Sequence, residues 1–267
     1  MLLAFFITIL FVNCSEPIAE ADKPQLVWYD EFEYEGQPDP AKWSYDYGDG
    51  CPTLCGWGNN ERQFYTKNLE NAHVEDGKLI ITAIKENHNG RNYTSARLVS
   101  KEKGDWLYGR IEVRAKMPSG IGTWPAIWML PTDWAYGGWP ASGEIDIIEH
   151  VGFEPLNVYG NIHVNKFNGM HGTDKPGCLK LKNSESEFNT YAISWTEDKI
   201  EWFVNDEIFH TYENKRKGID EWPFDQRFHL IMNIAVGGNW GGKKGIDDSI
   251  WPQQLIIDYV RVYQNKT

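Results

Sequence analysis

The segment Gly143-Glu144-Ile145-Asp146-Ile147-Ile148-Glu149-His150 alternates acidic and apolar residues. Alternation of this kind predicts a β-strand with one buried face. Glu144 and Asp146 are two residues apart and share a face, but Glu149 is five residues from Glu144 and points the other way in a regular strand. We predict a one-residue bulge near residues 147–148 that returns Glu149 to the acidic face. Ile145 and one of the two following isoleucines then face the core.

Strand patterns also dominate the rest of the chain. Short alternating or β-rich runs are separated by Gly, Pro, Asn and Asp, and no long amphipathic helix with good caps is present. The spacing predicts an all-β fold, an antiparallel β-sandwich. The clearest predicted strands are 72–74 and 79–84 joined by a turn at 75–78, 110–116, 199–204 and 207–209 joined at 205–206, 228–236, and 255–263.

Length and charge restrict the class of protein. The chain of 267 residues suits one all-β domain. Its formal net charge of −12 argues against a nucleic-acid partner, whose phosphates it would repel, and more weakly against a polyanionic polysaccharide. The 13 Trp residues, many with polar neighbours, suggest flat surfaces offered to a ligand. A monomer is the default expectation.

The first 12 residues, MLLAFFITILFV, resemble the apolar region of an export signal and are too few to cross a bilayer comfortably. Cys14 follows, as in a bacterial lipoprotein signal, so it is a candidate for lipidation. Simple cleavage and an incidental apolar terminus are the alternatives. We expect residues 1–22 to be a signal with a short tether, and residues 23–267 to be one exported domain, either secreted, periplasmic or on the cell surface. Only a lipid anchor would hold it to a membrane.

Three further cysteines follow at Cys51, Cys55 and Cys178. Export permits disulfides, and the spacing of the first two residues favours a Cys51–Cys55 bond with Cys178 free. The other interpretation is a metal-binding knuckle formed by the two cysteines. Zinc is not favoured, because no second cysteine pair and no histidine follow at metal-site spacing.

Three carboxylates on one strand face repel each other, so the arrangement calls for a function. The plain alternative is a solvated strand face. Trp124, Trp128 and Trp139 precede the acidic strand, and indole faces stack on sugar rings. A retaining glycosidase needs a nucleophile and an acid/base carboxyl roughly 5–5.5 Å apart. We assign Glu144 as nucleophile and Glu149 as acid/base, with Asp146 orienting its neighbours, although sequence alone does not fix which glutamate has which role.

The segment GEIDIIEH, with Trp139-Pro140 before it, resembles the signature of glycoside hydrolase family 16, especially its laminarinase (endo-β-1,3-glucanase) branch. Further segments match in order: WYDEF (28–32), GWGNNE (56–61), YTSARL (93–98), GRIE (109–112), NIAVGGNW (233–240) and DYVRVY (258–263). The resemblance implies a concanavalin-like jelly roll with a concave cleft, hydrolysis of laminarin-type β-1,3-glucan without a catalytic cofactor, and the same three carboxylate roles. The spacing of two residues between Asp146 and Glu149 matches the bulged form of the motif, which is found in the laminarinases.

The resemblance also suggests residues that contact the sugar. Arg97 would donate hydrogen bonds to sugar hydroxyls; the alternative for it is a surface ion pair. His163 would lie beside the nucleophile; the alternative for it is a buried histidine with a structural role. Core packing is the alternative for the tryptophans. His150 is expected to have a structural role. The full set of candidate contacts is Asn60, Arg97, Trp124, Trp128, Trp139, His163, Asn239 and Trp240.

Family members often hold a structural Ca²⁺, and by position its ligands would be Glu31 and Gly77 through backbone oxygens and Asp258. Turn and surface roles are the alternative for these three residues. Three other functions remain open: cleavage of mixed-linkage β-1,3-1,4-glucan or a red-algal galactan, a non-catalytic glucan-binding module, and transglycosylation.

Overall fold

The computed structural model describes residues 23–266. The predicted signal over residues 1–22 and the lipidation of Cys14 therefore lie outside the described residues. Within the described range, the helical segments are short, and none has the length and apolar character needed to cross a membrane.

The described chain is built from eighteen strands. They are β1 (Gln25–Asp30), β2 (Ser44–Tyr45), β3 (Gln63–Tyr65), β4 (Ala72–Glu75), β5 (Lys78–Ala83), β6 (Tyr93–Ser95), β7 (Arg97–Val99), β8 (Asp105–Trp106), β9 (Gly109–Lys116), β10 (Thr123–Pro131), β11 (Glu144–Glu149), β12 (Asn157–His163), β13 (Gly177–Lys180), β14 (Asn189–Trp195), β15 (Lys199–Val204), β16 (Glu207–Glu213), β17 (Phe228–Val236) and β18 (Gln253–Gln264). Two short 3₁₀ turns, Cys55–Gly58 and Gly169–His171, are the helical segments.

Sixteen of the strands form two antiparallel eight-stranded sheets, which confirms the predicted sandwich. The back sheet has the order β16-β15-β14-β9-β18-β5-β4, with β1 also paired to β18. The other sheet, which we call the site sheet, has the order β13-β12-β11-β10-β17-β7-β2, with β8 also paired to β17. The remaining two strands, β3 and β6, form a small parallel pair. The acidic strand β11 lies inside the site sheet, between β10 and β12.

The predicted hairpins are present, and their turns have the required backbone. Asp76 and Gly77 have φ of 50° and 69°, and Asn205 and Asp206 have φ of 50° and 68°. Two consecutive residues with positive φ match the right-handed twist of the flanking strands. On the opposite edge of the back sheet from the β15–β16 turn, β1 pairs with the end of β18, with Gln25 opposite Gln264.

The core between the sheets contains more tryptophan than the sequence suggested. Five indoles, those of Trp43, Trp106, Trp195, Trp202 and Trp222, are buried in it. None of these five was among the tryptophans predicted to contact a sugar, and their indoles belong to the core. They fill the wide space between two large sheets, where an aromatic side chain buries more area than an aliphatic one.

Candidate active site

The site is organised around a bulge in β11. Along β10, Ala126 is paired with Glu149, while Trp128 is paired with Asp146, so three residues of β11 span two residues of its neighbour. The same shift occurs against β12, where Asp146 faces Asn161 and Glu149 faces Tyr159. The predicted bulge is thus confirmed, and it places Glu149 on the same face as Asp146.

The bulge buries more of the strand than we predicted. Ile147 and Ile148 are both buried in the core, whereas we expected only one of them to face it. The inserted residue breaks the alternation, so two consecutive side chains point inward before Glu149 returns to the other face. Both isoleucines therefore anchor the strand that carries the carboxylates.

A tryptophan of the back sheet also holds this strand. The indole Nε1 of Trp202, in β15, donates a buried hydrogen bond of 2.7 Å to the backbone oxygen of Asp146. The back sheet thus fixes the position of the backbone that carries the middle carboxylate.

Indole N–H groups bind the two glutamates. Trp139 Nε1 donates to Glu144 Oε2 at 2.7 Å, and Trp124 Nε1 donates to Glu149 Oε1 at 3.0 Å. Both tryptophans were predicted as sugar contacts, and the structure places both beside a carboxylate. Trp139 is 37% exposed and offers the rest of its ring to the solvent.

Burial raises the proton affinity of all three carboxyl groups. Burial, with the negative charge of Asp146, raises the pKa of Glu149 to about 8. Burial and the charge of Glu144 raise the pKa of Asp146 to about 7. The pKa of Glu144 is also raised by burial, while the charge of His163 acts in the opposite direction. Asp146 and Glu149 therefore titrate near neutral pH beside a third carboxyl whose pKa is also raised, which allows one group of the cluster to act as an acid and another as a base.

His163 faces the carboxylates, as predicted. Its Nε2 lies 3.3 Å from Asp146 Oδ2 and 3.8 Å from Glu144 Oε1. Burial opposes a charge on the ring, but the hydrogen bond that the ring donates to Asp146 and the nearby carboxylates outweigh it and raise the pKa of His163 to about 10. The backbone N–H of Gly169 donates to Nδ1 at 3.1 Å and has the opposite effect, because it needs a lone pair there. When the ring is neutral, this contact leaves its proton on Nε2, toward Asp146.

Arg97 lies in the same cross-strand row as Glu149, two strands beyond β10. It is 8% exposed, and its guanidinium lies between the rings of Trp57 and Trp128, 4.6 and 4.8 Å from their centroids. Its Nε also lies 2.9 Å from Asp46 Oδ2. The ion pair that we gave as the alternative is therefore present, but the Arg97 guanidinium is buried between two rings and does not lie on the open surface. Sequence reasoning missed Asp46 and Trp57.

A buried polar chain supports the floor of the site, and it was also missed. Trp128 Nε1 donates to Asn233 Oδ1 at 2.8 Å, and Asn233 Nδ2 donates to the Tyr65 hydroxyl at 3.0 Å. That hydroxyl lies 3.4 Å from Glu61 Oε2, which also accepts from Gln63 Nε2 at 2.6 Å. The segments NNERQFY and MNIAV that carry these residues show no alternation that would identify their partners.

The remaining predicted sugar contacts lie on two loops that meet. Asn60 Nδ2 donates to Asn239 Oδ1 at 2.7 Å, and these two residues line a cavity of about 600 Å³. Trp240 packs edge-on against Trp124 and against Tyr159, with centroids 5.6 and 5.1 Å apart. Tyr159, opposite Glu149 on β12, was not predicted.

His150 has the structural role that we expected of it. The ring is fully buried, with Nδ1 2.8 Å from the Asn157 carbonyl oxygen and Nε2 2.9 Å from Glu185 Oε1. It therefore fixes the end of β11 immediately after Glu149. Elsewhere, Cys51 and Cys55 are joined by a disulfide, and Cys178 is free and exposed.

The candidate calcium ligands lie beside the middle of β18, where the pairing with β5 ends and the pairing with β1 begins. Glu31 follows β1, Gly77 is in the β4–β5 turn, and Asp258 is the extra residue of a bulge in β18. The carboxylate of Asp258 contacts Arg114, and that of Glu31 binds Arg261 at 2.7 and 2.9 Å. Backbone oxygens at these positions suit Ca²⁺, but both carboxylates already have cationic partners. Among residues 23–266, one group has three ligand atoms within 4.8 Å of one another, and it consists of Glu144, Asp146 and His163.

Comparisons with known proteins agree with this geometry. The family model of glycosyl hydrolases family 16 matches residues 59–261. A beta-glucanase of Rhodothermus marinus is 50% identical over 273 residues, which covers 98% of this chain and 93% of that protein.

Solved structures show the same similarity. The laminarinase from Rhodothermus marinus superposes with a TM-score of 0.89 at 51% identity, covering 92% of this chain and 99% of that one. SCLam, a non-specific endo-β-1,3(4)-glucanase, superposes with a TM-score of 0.86 at 41% identity, covering 94% and 95%.

Proposed function

Because the chain belongs to glycosyl hydrolases family 16, we propose that it is a retaining endo-β-1,3-glucanase that cuts laminarin-type glucans. The observation that carries the proposal is the bulged strand β11, which places Glu144, Asp146 and Glu149 on one face. Each glutamate accepts a hydrogen bond from an indole whose ring borders the site. Carboxyl groups beside aromatic faces suit both a sugar substrate and its hydrolysis.

The first chemical step cleaves the glycosidic bond. Glu144 attacks the anomeric carbon while Glu149 gives its proton to the departing oxygen, which leaves a glycosyl ester on Glu144. Glu149 suits the acid role because its pKa of about 8 keeps it protonated at neutral pH. The indole N–H of Trp139 stabilises the negative charge of Glu144 before attack.

The second step releases the sugar. Esterification removes the charge of Glu144, so the Glu149 carboxylate, which has already given up its proton, stays ionised until it takes a proton from the water that attacks the anomeric carbon. Two inversions give net retention. Asp146 lies between the two glutamates and shares a proton with His163 and its neighbours, so it buffers the charge of the cluster in both steps.

Proton NMR of laminarin digestion tests the proposal directly. We expect the β-anomer of the new reducing end to appear first and the α-anomer to follow by mutarotation. An α-anomer that appears first would contradict the retaining mechanism. Intact laminarin with the purified protein would instead favour a glucan-binding module, which is distinguished by binding without product.

Azide separates the roles of the two glutamates. In Glu149→Ala, azide replaces the water that no longer has a base, and the product is a β-glycosyl azide. In Glu144→Ala, azide attacks the substrate directly and gives the α-azide. The opposite stereochemistry would exchange the two assignments.

Mixed-linkage β-1,3-1,4-glucan is the second candidate substrate. SCLam, the relative described above, is a non-specific β-1,3(4)-glucanase, so a site of this shape accepts more than one linkage in that protein. We propose that this chain cuts β-1,3 bonds preferentially. Equal kcat/KM values on laminarin and mixed-linkage glucan would contradict the preference.

We also propose that Ca²⁺ stabilises the back sheet through Glu31, Gly77 and Asp258, and that the protein is exported as a monomer and held by a lipid on Cys14. The calcium proposal is supported by the strand register that brings the three residues to the junction of β5 and β1 along β18. A rise in Tm with added Ca²⁺ that is absent in Asp258→Asn tests it. Cell fractionation of the native chain and of Cys14→Ala tests the anchor.

A further inference from the structure

The segment of residues 49–60, which we call the disulfide loop, lies between β2 and β3 in the chain. The bond between Cys51 and Cys55 closes its first turn. The backbone N–H of Gly56 donates to the carbonyl oxygen of Asp49 at 2.8 Å, and that of Cys51 donates to the Asp49 side chain at 3.0 Å. The disulfide is therefore the covalent part of a turn that directs the rest of the loop.

Two side chains of the disulfide loop contact residues that we expect to bind sugar. The ring of Trp57, two residues after Cys55, covers the Arg97 guanidinium at 4.6 Å. The side chain of Asn60 donates to that of Asn239 at 2.7 Å, and Cys55 itself lines the cavity of about 600 Å³ that these two residues border. A short piece of chain thus connects the disulfide to the sugar-binding residues.

The backbone of Trp57 depends on its surroundings. Its φ is 51°, in the left-handed region that a bulky residue adopts only when other contacts impose it. The ring is placed by the Arg97 guanidinium and by the ring of Tyr65, whose centroid is 5.5 Å away. Gly56, which precedes Trp57, also has a positive φ of 62° and stiffens the chain little. The cross-link at Cys55 is therefore the nearest covalent restraint on this conformation.

We propose that the Cys51–Cys55 disulfide positions Trp57 against Arg97, so that the affinity for glucan depends on the oxidation of this cysteine pair. This inference rests on the proposed function, because it assigns the bond a purpose in substrate binding. It makes the two cysteines positioning residues that act through the indole of Trp57.

A dithiol in solution can open the bond, because both cysteines are exposed. The dithiol supplies two electrons and two protons, so two cysteine thiols replace the S–S bond and the dithiol becomes a cyclic disulfide. The catalytic glutamates keep their hydrogen-bond donors in this reaction, since Trp124 and Trp139 lie outside the disulfide loop. We therefore expect substrate binding to weaken while the chemical steps continue.

The test measures laminarin kinetics of the purified full chain before and after treatment with dithiothreitol. Thiol titration confirms reduction by the appearance of two further thiols per chain. We expect KM to rise several-fold while kcat changes little, and reoxidation should restore the original KM. Reversibility distinguishes positioning by the bond from damage to the fold.

Three variants locate the effect. Cys51→Ser/Cys55→Ser should have the KM of the reduced wild type and should not respond to the dithiol. The matched control is Cys178→Ser, which removes the free, exposed thiol and should respond as the wild type does. Trp57→Ala should raise KM and then respond little to reduction, because the bond acts through this ring.

An unchanged KM after complete reduction would overturn the inference. A lower kcat at constant KM would also overturn it, because that result indicates partial unfolding in place of weaker binding. A Trp57→Ala variant that responds to reduction as strongly as the wild type would refute the action through the indole. If the double serine variant does not fold, reduction of the folded wild type still decides the question. Failure of the proposed function would be seen separately, as no cleavage of any glucan by the oxidised wild type.

Discussion

Replacing Glu149 with Gln should remove activity and increase stability at alkaline pH. The side chain is 8% exposed, and its pKa rises from 4.5 to about 8 on folding. A carboxyl with a raised pKa contributes stability that is complete below its unfolded pKa and lost as pH rises through the folded value. At about 1.4 kcal/mol per unit, the wild type loses at most about 5 kcal/mol between pH 4.5 and 8 from this group, and less where the proton is shared with Asp146.

Gln stays neutral throughout this range, and its oxygen can still accept from Trp124. We therefore expect the free energy of unfolding of Glu149→Gln to exceed that of the wild type by a margin that grows from pH 5 to pH 8.5, reaching a few kcal/mol. Urea unfolding followed by tryptophan fluorescence measures it. Loss of the general acid should lower kcat on laminarin by roughly 10²–10⁴-fold.

The exposed Glu70→Gln is the control, and its stability should follow the wild type at every pH. Parallel pH dependences for wild type and Glu149→Gln would refute the assignment of Glu149 as a buried acid. Full activity of the variant would refute its catalytic role.

Three further predictions follow from the site. The pH profile of wild-type kcat/KM on laminarin should be bell-shaped. Its acidic limb should lie above pH 4.5, where Glu144 gains a proton, and its alkaline limb near pH 8, where Glu149 loses one. Rate measurements across this pH range check both limbs. Trp202→Phe should destabilise the fold by about 1–3 kcal/mol in thermal unfolding, because the backbone oxygen of Asp146 loses its buried donor; an unchanged Tm would contradict this. Arg97→Lys should raise KM several-fold on laminarin while changing kcat little, because an ammonium cannot stack between two indoles as a planar guanidinium does; a change confined to kcat would contradict it.

The acidic strand and its bulge could be predicted from the sequence because parity along a strand is a local property. Five residues separate Glu144 from Glu149, and a bulge was required to place both on one face. The same argument could not show that Ile147 and Ile148 are both buried, because the direction of side chains at a bulge depends on the sheet across the core. Hairpin turns were predictable for the same local reason, since Asp76-Gly77 is the turn itself.

Partners that are distant in sequence could not be predicted. Asp46 and Trp57 reach Arg97 only because the loops that carry them fold over the site sheet. Trp202 resembles any other apolar residue of an alternating strand, yet its indole N–H binds the catalytic strand. Asp174 lies among polar loop residues with no periodicity, so nothing in its surroundings indicated that its carboxylate would accept a hydrogen bond from Asn161 Nδ2 at 3.3 Å.

The pairing of Gln25 with Gln264 at an edge of the back sheet has a practical consequence. Because these two residues are cross-strand partners, a short linker between them would close the chain into a ring without crossing the site sheet. The ring could be reopened at Asn205-Asp206, a tight exposed turn on the other edge of the same sheet, to give a circular permutant. Such a permutant should keep its glucan-cutting rate, because the joined ends and the reopened turn belong to the back sheet whereas the carboxylates lie on the site sheet.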